Sequence, residues 1–466
     1  MDFNRYSHIF MIGIGGIGMS ALARYFRLKG KTVAGYDRTH TTLTGELENE
    51  GISIIYEDNP ALVDPQFKNP ENVLLIFTPA VKGDNHLLQY FTSQQFTLLK
   101  RSEVLGAIAA TYKTIAIAGT HGKTTTSSMV SHLLNQTANR VNALVGGIIK
   151  NYQSNFLFSE KSDFLVTEAD EFDRSFLKLR PHFAVITACD ADHLDIYGTA
   201  EELIHAYEQF AELVDPDGIL LIKYGIEPEI DKAPVERKFT YSLDNPNADV
   251  YARHIHVDGH QMAFDLVTPF GTLDQLVMKP TGLINIENAV AACFMALQAG
   301  ADEEEIRKGL ATFNGVRRRF DMHFNNGTLV YIDDYAHHPE EIKALIRSVK
   351  SIYPFKKITG IFQPHLFSRT RDFADEFALS LQSLDQVILL EIYPAREKPI
   401  EGIHSTYLLN KINHHHKVLL SMEEIPYHLL HHDFEVLLTI GAGSIETLVE
   451  PIMEMISRKT SKQEIP

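Results

Sequence analysis

The chain has 466 residues, a formal charge of −17, 44% hydrophobic and 22% charged residues, and two cysteines. That length points to roughly two to four domains, and the apolar share fills a core, which excludes a disordered chain. The acidic balance argues against a general nucleic-acid binder, two cysteines are too few for a disulfide framework, and no run is apolar for the length of a membrane helix.

Residues 7–18, SHIFMIGIGGIG, read as a strand running into Gly13-x-Gly15-x-x-Gly18, and MSALARYFRLKG continues as an amphipathic helix. This N-terminus lacks a basic leader and a small-residue cleavage site, so a cytoplasmic location is expected. Loop amides and a helix N-terminus together form a cradle for phosphate. A second strand, KTVAGYD, ends at Asp37, where dinucleotide folds place a ribose-binding acid. A plain turn role for Asp37 is equally open, and read alone the unit suggests NAD. Strands over 53–56 and 72–77 follow. The latter ends in Thr78-Pro79-Ala80, a strand-end loop suited to touching a ligand. This first α/β unit closes near residue 110.

Thr114 to Ser128, TIAIAGTHGKTTTSS, reads as an apolar strand, a tight loop and a helix opening on hydroxyl residues. Such a loop cradles anions with its backbone N–H groups. Lys123 is placed to reach terminal phosphates, and the Thr124 hydroxyl to face Mg2+. The strict Walker pattern wants glycine where Ile117 stands, so this is a shortened loop anchored by Gly119 and Gly122. The next strand, SDFLVTEADEFD, ends in Glu168, Asp170, Glu171 and Asp173. Beside a phosphate loop, that is where a magnesium ligand is expected. HFAVITACDADHLD repeats the plan with Asp190, Asp192, His193 and Asp195, and His193 stands open between a structural and a ligating role. Cys189 and Cys293 read as small buried apolar residues.

Period-two alternation over 238–280, with Asp258-Gly259 as a turn, predicts a small antiparallel sheet. Helical patterns follow, and Arg317-Arg318-Arg319 marks the border of a third unit, as a solvated turn or a phosphate clamp. Beyond it, LVYIDDYAHHP, KITGIFQPH, QVILLEIYPA and EVLLTIGAGSIE alternate with helical stretches. That pattern predicts a doubly wound sheet with its crevice outside the strand C-termini. Asp333, Asp334, His337, His338, His365, Arg369 and Arg371 fall on that edge. His414–His416 and His431–His432 read as surface residues.

The motifs GIGGIGMSALA, GTHGKTT, EADE (Glu168–Glu171), DHLD (Asp192–Asp195), DDYAHHP (Asp333–Pro339) and FQPH-x-x-SRTRD (Phe362–Asp372) come in the order and spacing of the Mur ligases. The chain resembles that family over essentially its whole length. The resemblance implies three α/β domains. These are a Rossmann-like UDP-sugar domain (1–110), a central P-loop ATPase with a small antiparallel sheet (111–319) and a C-terminal Rossmann-like amino-acid domain (320–466). It implies that ATP and Mg2+ drive the joining of L-alanine to UDP-N-acetylmuramate through an acyl phosphate, in a monomer or homodimer. By the same resemblance Gly13, Gly15, Gly16 and Gly18, with Asp37, Thr78 and Ala80, hold the UDP-sugar, which displaces NAD. Gly119, Thr120, His121, Gly122, Lys123, Thr124, Thr125, Asn288, Arg319 and Asp334 hold ATP. Thr124, Glu168 and His193 surround the metal, and His337 and Arg369 position the amino acid. Lys123, Glu168, His193 and His337 are the catalytic set.

The chain departs from the family pattern at Ile284, Leu366 and Ser444, where His, Arg and Asp are common. A missing guanidinium at Leu366 leaves the choice of alanine over serine or glycine open. The alternatives are a ligase that reattaches a murein tripeptide, an NAD-dependent oxidoreductase and a non-catalytic nucleotide-binding module.

Overall fold

The computed structural model describes residues 3–190, 194–226, 228, 230–257, 261–279, 282–395 and 397–461. Three sheets carry these residues. The first is built from β1 (His8–Ile12), β2 (Thr32–Tyr36), β3 (Ser53–Ile55), β4 (Val73–Phe77) and β5 (Thr97–Lys100) in the order β3-β2-β1-β4-β5. All its pairings are parallel. Its central strands are continuous apolar runs because both faces are covered by helices. Helix Ile17–Leu28 buries Met19, Leu22 and Phe26 on one stripe. The order reverses between β1 and β4, which opens a crevice at their C-terminal ends. Gly13 after β1 and Thr78 after β4 meet there, since a Cβ on Gly13 would lie 2.5 Å from the Thr78 methyl.

The central sheet holds β6 (Lys113–Ala118), β7 (Asn142–Ile149), β8 (Ser154–Leu157), β9 (Phe164–Ala169), β10 (Phe183–Ile186), β11 (Ile219–Lys223), β12 (Lys238–Ser242), β13 (Val250–Val257), β14 (Met262–Thr268) and β15 (Gly271–Met278). Their order is β15-β14-β13-β12-β11-β10-β6-β9-β7-β8. β6 lies between β10 and β9, parallel to both, and Ile117 registers opposite Glu168. The strands expected as a small appended sheet continue one end of this one, and the expected Asp258-Gly259 turn lies outside the described residues.

The third sheet holds β16 (Asp321–Asn325), β17 (Val330–Asp334), β18 (Ile358–Phe362), β19 (Gln386–Leu389), β20 (Lys417–Leu419) and β21 (Val436–Ile440). The order is β16-β17-β21-β18-β19-β20, with only β16 antiparallel to its neighbour. Apolar clusters cover both faces.

Packing divides the chain into two compact units: Met1–Arg253 with Asp265–Asp274 and Asn288–Phe313, and His254–Phe264 with Gln275–Glu287 and Asn314–Pro466. The first two sheets fall in one unit because they share a core. One apolar cluster includes Ile9, Phe26 and Ile108 together with Phe176, Leu179 and Phe210. Helix Arg101–Ala109 packs on residues 172–178 so closely that a Cβ on Gly106 would lie 2.7 Å from the Lys178 carbonyl oxygen.

Candidate active site

The loop after β6 is built by two glycines in conformations that side chains resist. Gly119 has φ +125° and Gly122 φ +83°. A Cβ on Gly119 would also lie 2.2 Å from Thr187 Oγ1. Thr187, at the end of β10, donates to Ala118 O (3.0 Å) and to His121 O. Thr120 N donates to Ala188 O (3.1 Å), and Thr120 Oγ1 accepts from Asp190 N (3.1 Å). His121 Nε2 stands 3.4 Å from Asp190 Oδ2. The loop is thereby stitched to the neighbouring strand end.

Gly122 caps helix Lys123–Leu134, whose residues are buried from Thr124 to Leu134, Thr125 among them. Lys123 therefore projects from a fixed helix end. Its ammonium donates to Gly119 O (2.6 Å) and to both carboxylate oxygens of Glu171 (2.9 Å each). Burial works against the charged ammonium, but Glu171, Asp170 and Glu168 outweigh it and hold its pKa above the ordinary value. Lys123 is thus a charged, pre-aimed cation.

Glu168 ends β9 beside this loop. Its Oε1 accepts from Gly146 N (2.7 Å) and Ser127 Oγ (3.4 Å). A buried Thr124 hydroxyl and a carboxylate oriented in this way are hard oxygen donors, a set that fits Mg2+. Among the described residues no three His, Cys, Asp or Glu side chains are grouped to hold a metal alone. Mg2+ characteristically draws most of its ligands from phosphate and water. The expected third ligand, His193, lies outside the described residues. Asn288 sits under the loop, where its Oδ1 accepts from Thr126 Oγ1 (3.2 Å). A Cβ on Gly122 would come within 2.9 Å of that oxygen.

The first glycine loop opens on the β1/β4 crevice. Gly13, Gly15, Gly16 and Gly18 lead into helix Ile17–Leu28, capped by Gly16 without a side-chain bond. Both Asp37 oxygens serve the backbone: Oδ2 accepts from Gly15 N (2.8 Å) and Oδ1 from Thr39 N (3.1 Å). Asp37 therefore acts here as a brace of the loop. Thr78 Oγ1 accepts from Ala80 N (3.5 Å), which folds that strand-end turn over the same crevice.

In the second unit, Asp334 is the last residue of β17 and His337 lies just past it. Asp334 accepts from Phe320 N (2.6 Å) and Ala336 N (2.8 Å), and burial raises its pKa to about 6. His337 Nδ1 lies 3.0 Å from Tyr335 O, which makes it the donor. Burial lowers the His337 pKa to about 4, and Arg369 assists, so the ring is neutral at pH 7. The His337 amide donates to Glu341 (2.9 Å), and Glu341 also faces Arg319 at 3.8 Å. Arg319 lies over the Tyr335 ring, 5.0 Å from its centroid. Its neighbour Arg318 turns inward to Asp333 (3.3 Å) and Glu446 (3.1 Å), so the three-arginine run is not a single clamp. The strand ends of β18 and β21 are joined by Gln363, which donates to Ser444 Oγ (3.2 Å) and accepts from Ile445 N (2.9 Å). Leu366 caps helix Phe367–Asp372, which carries Arg369, at φ +72°. Ile284 is exposed.

Sequence reasoning missed Glu171 as the Lys123 partner, Thr187 as the loop's anchor and Glu341 as the link between Arg319 and His337. Glu171 was visible as one of four acids, but its choice depends on the turn after β9. Thr187 and Glu341 left no separable signal.

Three family profiles match the chain. They are the Mur ligase family catalytic domain over residues 8–113, the Mur ligase middle domain over 117–296 and the Mur ligase glutamate ligase domain over 318–443. The chain is similar to the UDP-N-acetylmuramate–L-alanine ligase of Parabacteroides distasonis, at 49% identity over 99% of this chain and 100% of that one. It is also similar to the ligase of the same name from Phocaeicola vulgatus, at 45% identity over 98% and 100%. Among solved structures, a UDP-N-acetylmuramate–alanine ligase from Thermotoga maritima superposes with a TM-score of 0.80 and 26% identity, covering 98% of this chain and 99% of that one.

Proposed function

The chain belongs to the Mur ligase family, and from that premise we propose that it joins L-alanine to the lactyl carboxylate of UDP-N-acetylmuramate with cleavage of ATP. The geometry that carries the ATP half of this reading is the loop Gly119–Thr125, with Lys123 fixed beside Glu168 and Glu171. The near-full-length relatives named for this activity carry the substrate half.

A carboxylate does not react with an amine, because oxide would have to leave. Transfer of the γ-phosphoryl group to the carboxylate oxygen gives an acyl phosphate and ADP. The alanine nitrogen then attacks the carbonyl carbon, loses a proton, and expels phosphate as the amide forms. Lys123 meets the charge on the transferring phosphoryl group, and preorganised donors of this kind are each worth about 3 kcal/mol. Thr124, Glu168 and His193 would hold Mg2+, which supplies Lewis-acid stabilisation of the phosphate oxygens. The Gly13–Gly18 loop with Thr78 and Ala80 takes the UDP moiety, and Asn288, Arg319 and Asp334 belong to the nucleotide's surroundings. Neutral His337 offers Nε2 to the ammonium of the amino acid, and Arg369 pairs with its carboxylate.

We place the enzyme in the cytoplasm, where ATP and UDP-sugars are available. Among the described residues no helix is long and apolar enough to cross a membrane. The deciding experiment measures ADP release with UDP-N-acetylmuramate against L-alanine, L-serine, glycine and the murein tripeptide. L-alanine is expected to have the highest kcat/KM. Preference for the tripeptide overturns the choice of amino acid, and NAD(H) binding without UDP-sugar binding overturns the whole reading.

A further inference from the structure

Helix Arg101–Ala109 begins against its own electrostatics. Lys100 is its N-cap and Arg101 its first residue, yet a helix N-terminus favours anions. Glu103 answers part of this by accepting from Lys100 N (2.8 Å). The acids after β9 answer the rest. Lys100 Nζ pairs with Asp173 at 3.1 Å and Arg101 NH2 with Asp170 at 3.4 Å. A cation kept at a helix start against this local rule is a candidate for a functional role.

The Arg101 side chain crosses the first turn of helix Ile17–Leu28. A Cβ on Gly18 would lie 2.8 Å from Arg101 NH1 and 3.3 Å from its Cδ. The third glycine of the first loop thereby leaves room for the Arg101 side chain over that turn. The side chain keeps 21% of its surface in solvent, and its Asp170 partner 38%. The helix that carries it is seated closely on the Lys178 backbone at Gly106.

We propose that Arg101 is the cation that pairs with the diphosphate of the bound UDP-sugar, giving up Asp170 to do so. This rests on the reading of Gly13–Gly18 as the UDP-sugar loop. The loop carries no basic residue of its own, and the guanidinium touching it is Arg101. The exchange is favourable in kind. A single long contact to a part-exposed carboxylate is replaced by a fork of charge-assisted hydrogen bonds to phosphate oxygens.

The test is calorimetric titration of the full-length chain with UDP-N-acetylmuramate and, separately, with ATP. Arg101→Met is expected to weaken UDP-N-acetylmuramate roughly ten- to hundredfold while ATP binding and the unfolding midpoint stay at the wild-type level. Arg101→Lys should recover part of the loss. Gly18→Ala should reproduce it, because its methyl displaces the guanidinium. Wild-type affinity in Arg101→Met overturns the assignment alone. An equal loss for ATP together with a lowered midpoint also overturns it, in favour of a structural role. Failure of the wild-type chain to bind UDP-N-acetylmuramate overturns the loop's UDP-sugar reading and this assignment with it.

Discussion

The loop after β1 and the loop after β6 each lead a parallel strand into a helix, and they meet the demands of an anion differently. The second loop contains its cation, Lys123, held by Glu171 and by Gly119 O before any ligand arrives. The first loop contains none. Its braces are an anion, Asp37, on Gly15 N and a neighbouring turn at Thr78. Its cation comes from Arg101 on a helix more than eighty residues away in sequence. A site of the first kind can do chemistry on a phosphate, because its charge sits at a fixed point. A site of the second kind is suited to holding a phosphate that does not react.

The largest effect expected from this contrast is that of Lys123→Ala. ADP formation should fall about a hundredfold or more, while UDP-N-acetylmuramate still binds calorimetrically, and near-normal turnover would break the contrast. Glu171→Gln should come next. It leaves a buried ammonium without its counter-charge, which costs about 3 kcal/mol of folding stability. Saturating ATP should restore the unfolding midpoint, because phosphate then supplies the missing charge. No loss of stability in that variant would show that the ion pair is not what sets Lys123.

Asp37→Ala tests the other loop. It should raise KM for UDP-N-acetylmuramate by about tenfold, one charge-assisted bond's worth, with KM for ATP unchanged. An equal change in both constants would erase the distinction between the loops.

The pH dependence gives a smaller effect, at the far end of the second loop's helix. His132 is buried between Tyr152 OH (2.8 Å) and Thr312 Oγ1 (3.0 Å), and burial lowers its pKa to about 4. Between that value and the unfolded pKa of about 6.5, only the unfolded chain takes up the proton. Stability is therefore complete above about pH 6.5 and declines as pH falls, by up to about 3 kcal/mol near pH 4. His132→Gln should flatten that part of a plot of unfolding free energy against pH. An unchanged slope would move the titration to another group.

The central parallel strands of the three sheets, such as β1, β6 and β18, were legible because each is a short apolar run ending in glycine or polar residues, and the phosphate loop because Gly119, Gly122 and Lys123 are close in sequence. The core shared by the first two sheets was not, because Ile108 and Phe176 come together only through the packing of helix Arg101–Ala109. Which of four acids meets Lys123 was also hidden. It depends on the register of Ile117 with Glu168 and on a turn in which Asp173 and Arg174 adopt φ +55° and +52°. Asp37 was visible as a strand-end acid, but its duty to the backbone was not, since Gly15 N is 22 positions away. The Arg317–Arg319 run stayed ambiguous for a related reason, as a charge count does not say that Arg318 pairs with Asp333.

Leu366 reverses the usual scale of conservative change. Its backbone, at φ +72° and ψ 136°, occupies a sparsely populated region where a side chain costs about 1–3 kcal/mol, a β-branched one most. Leu366→Gly, normally a drastic exchange, should leave the fold as stable or slightly more so, whereas the mild Leu366→Ile should harm it. A tolerance map of the chain would thus show an inverted pixel beside the helix that carries Arg369.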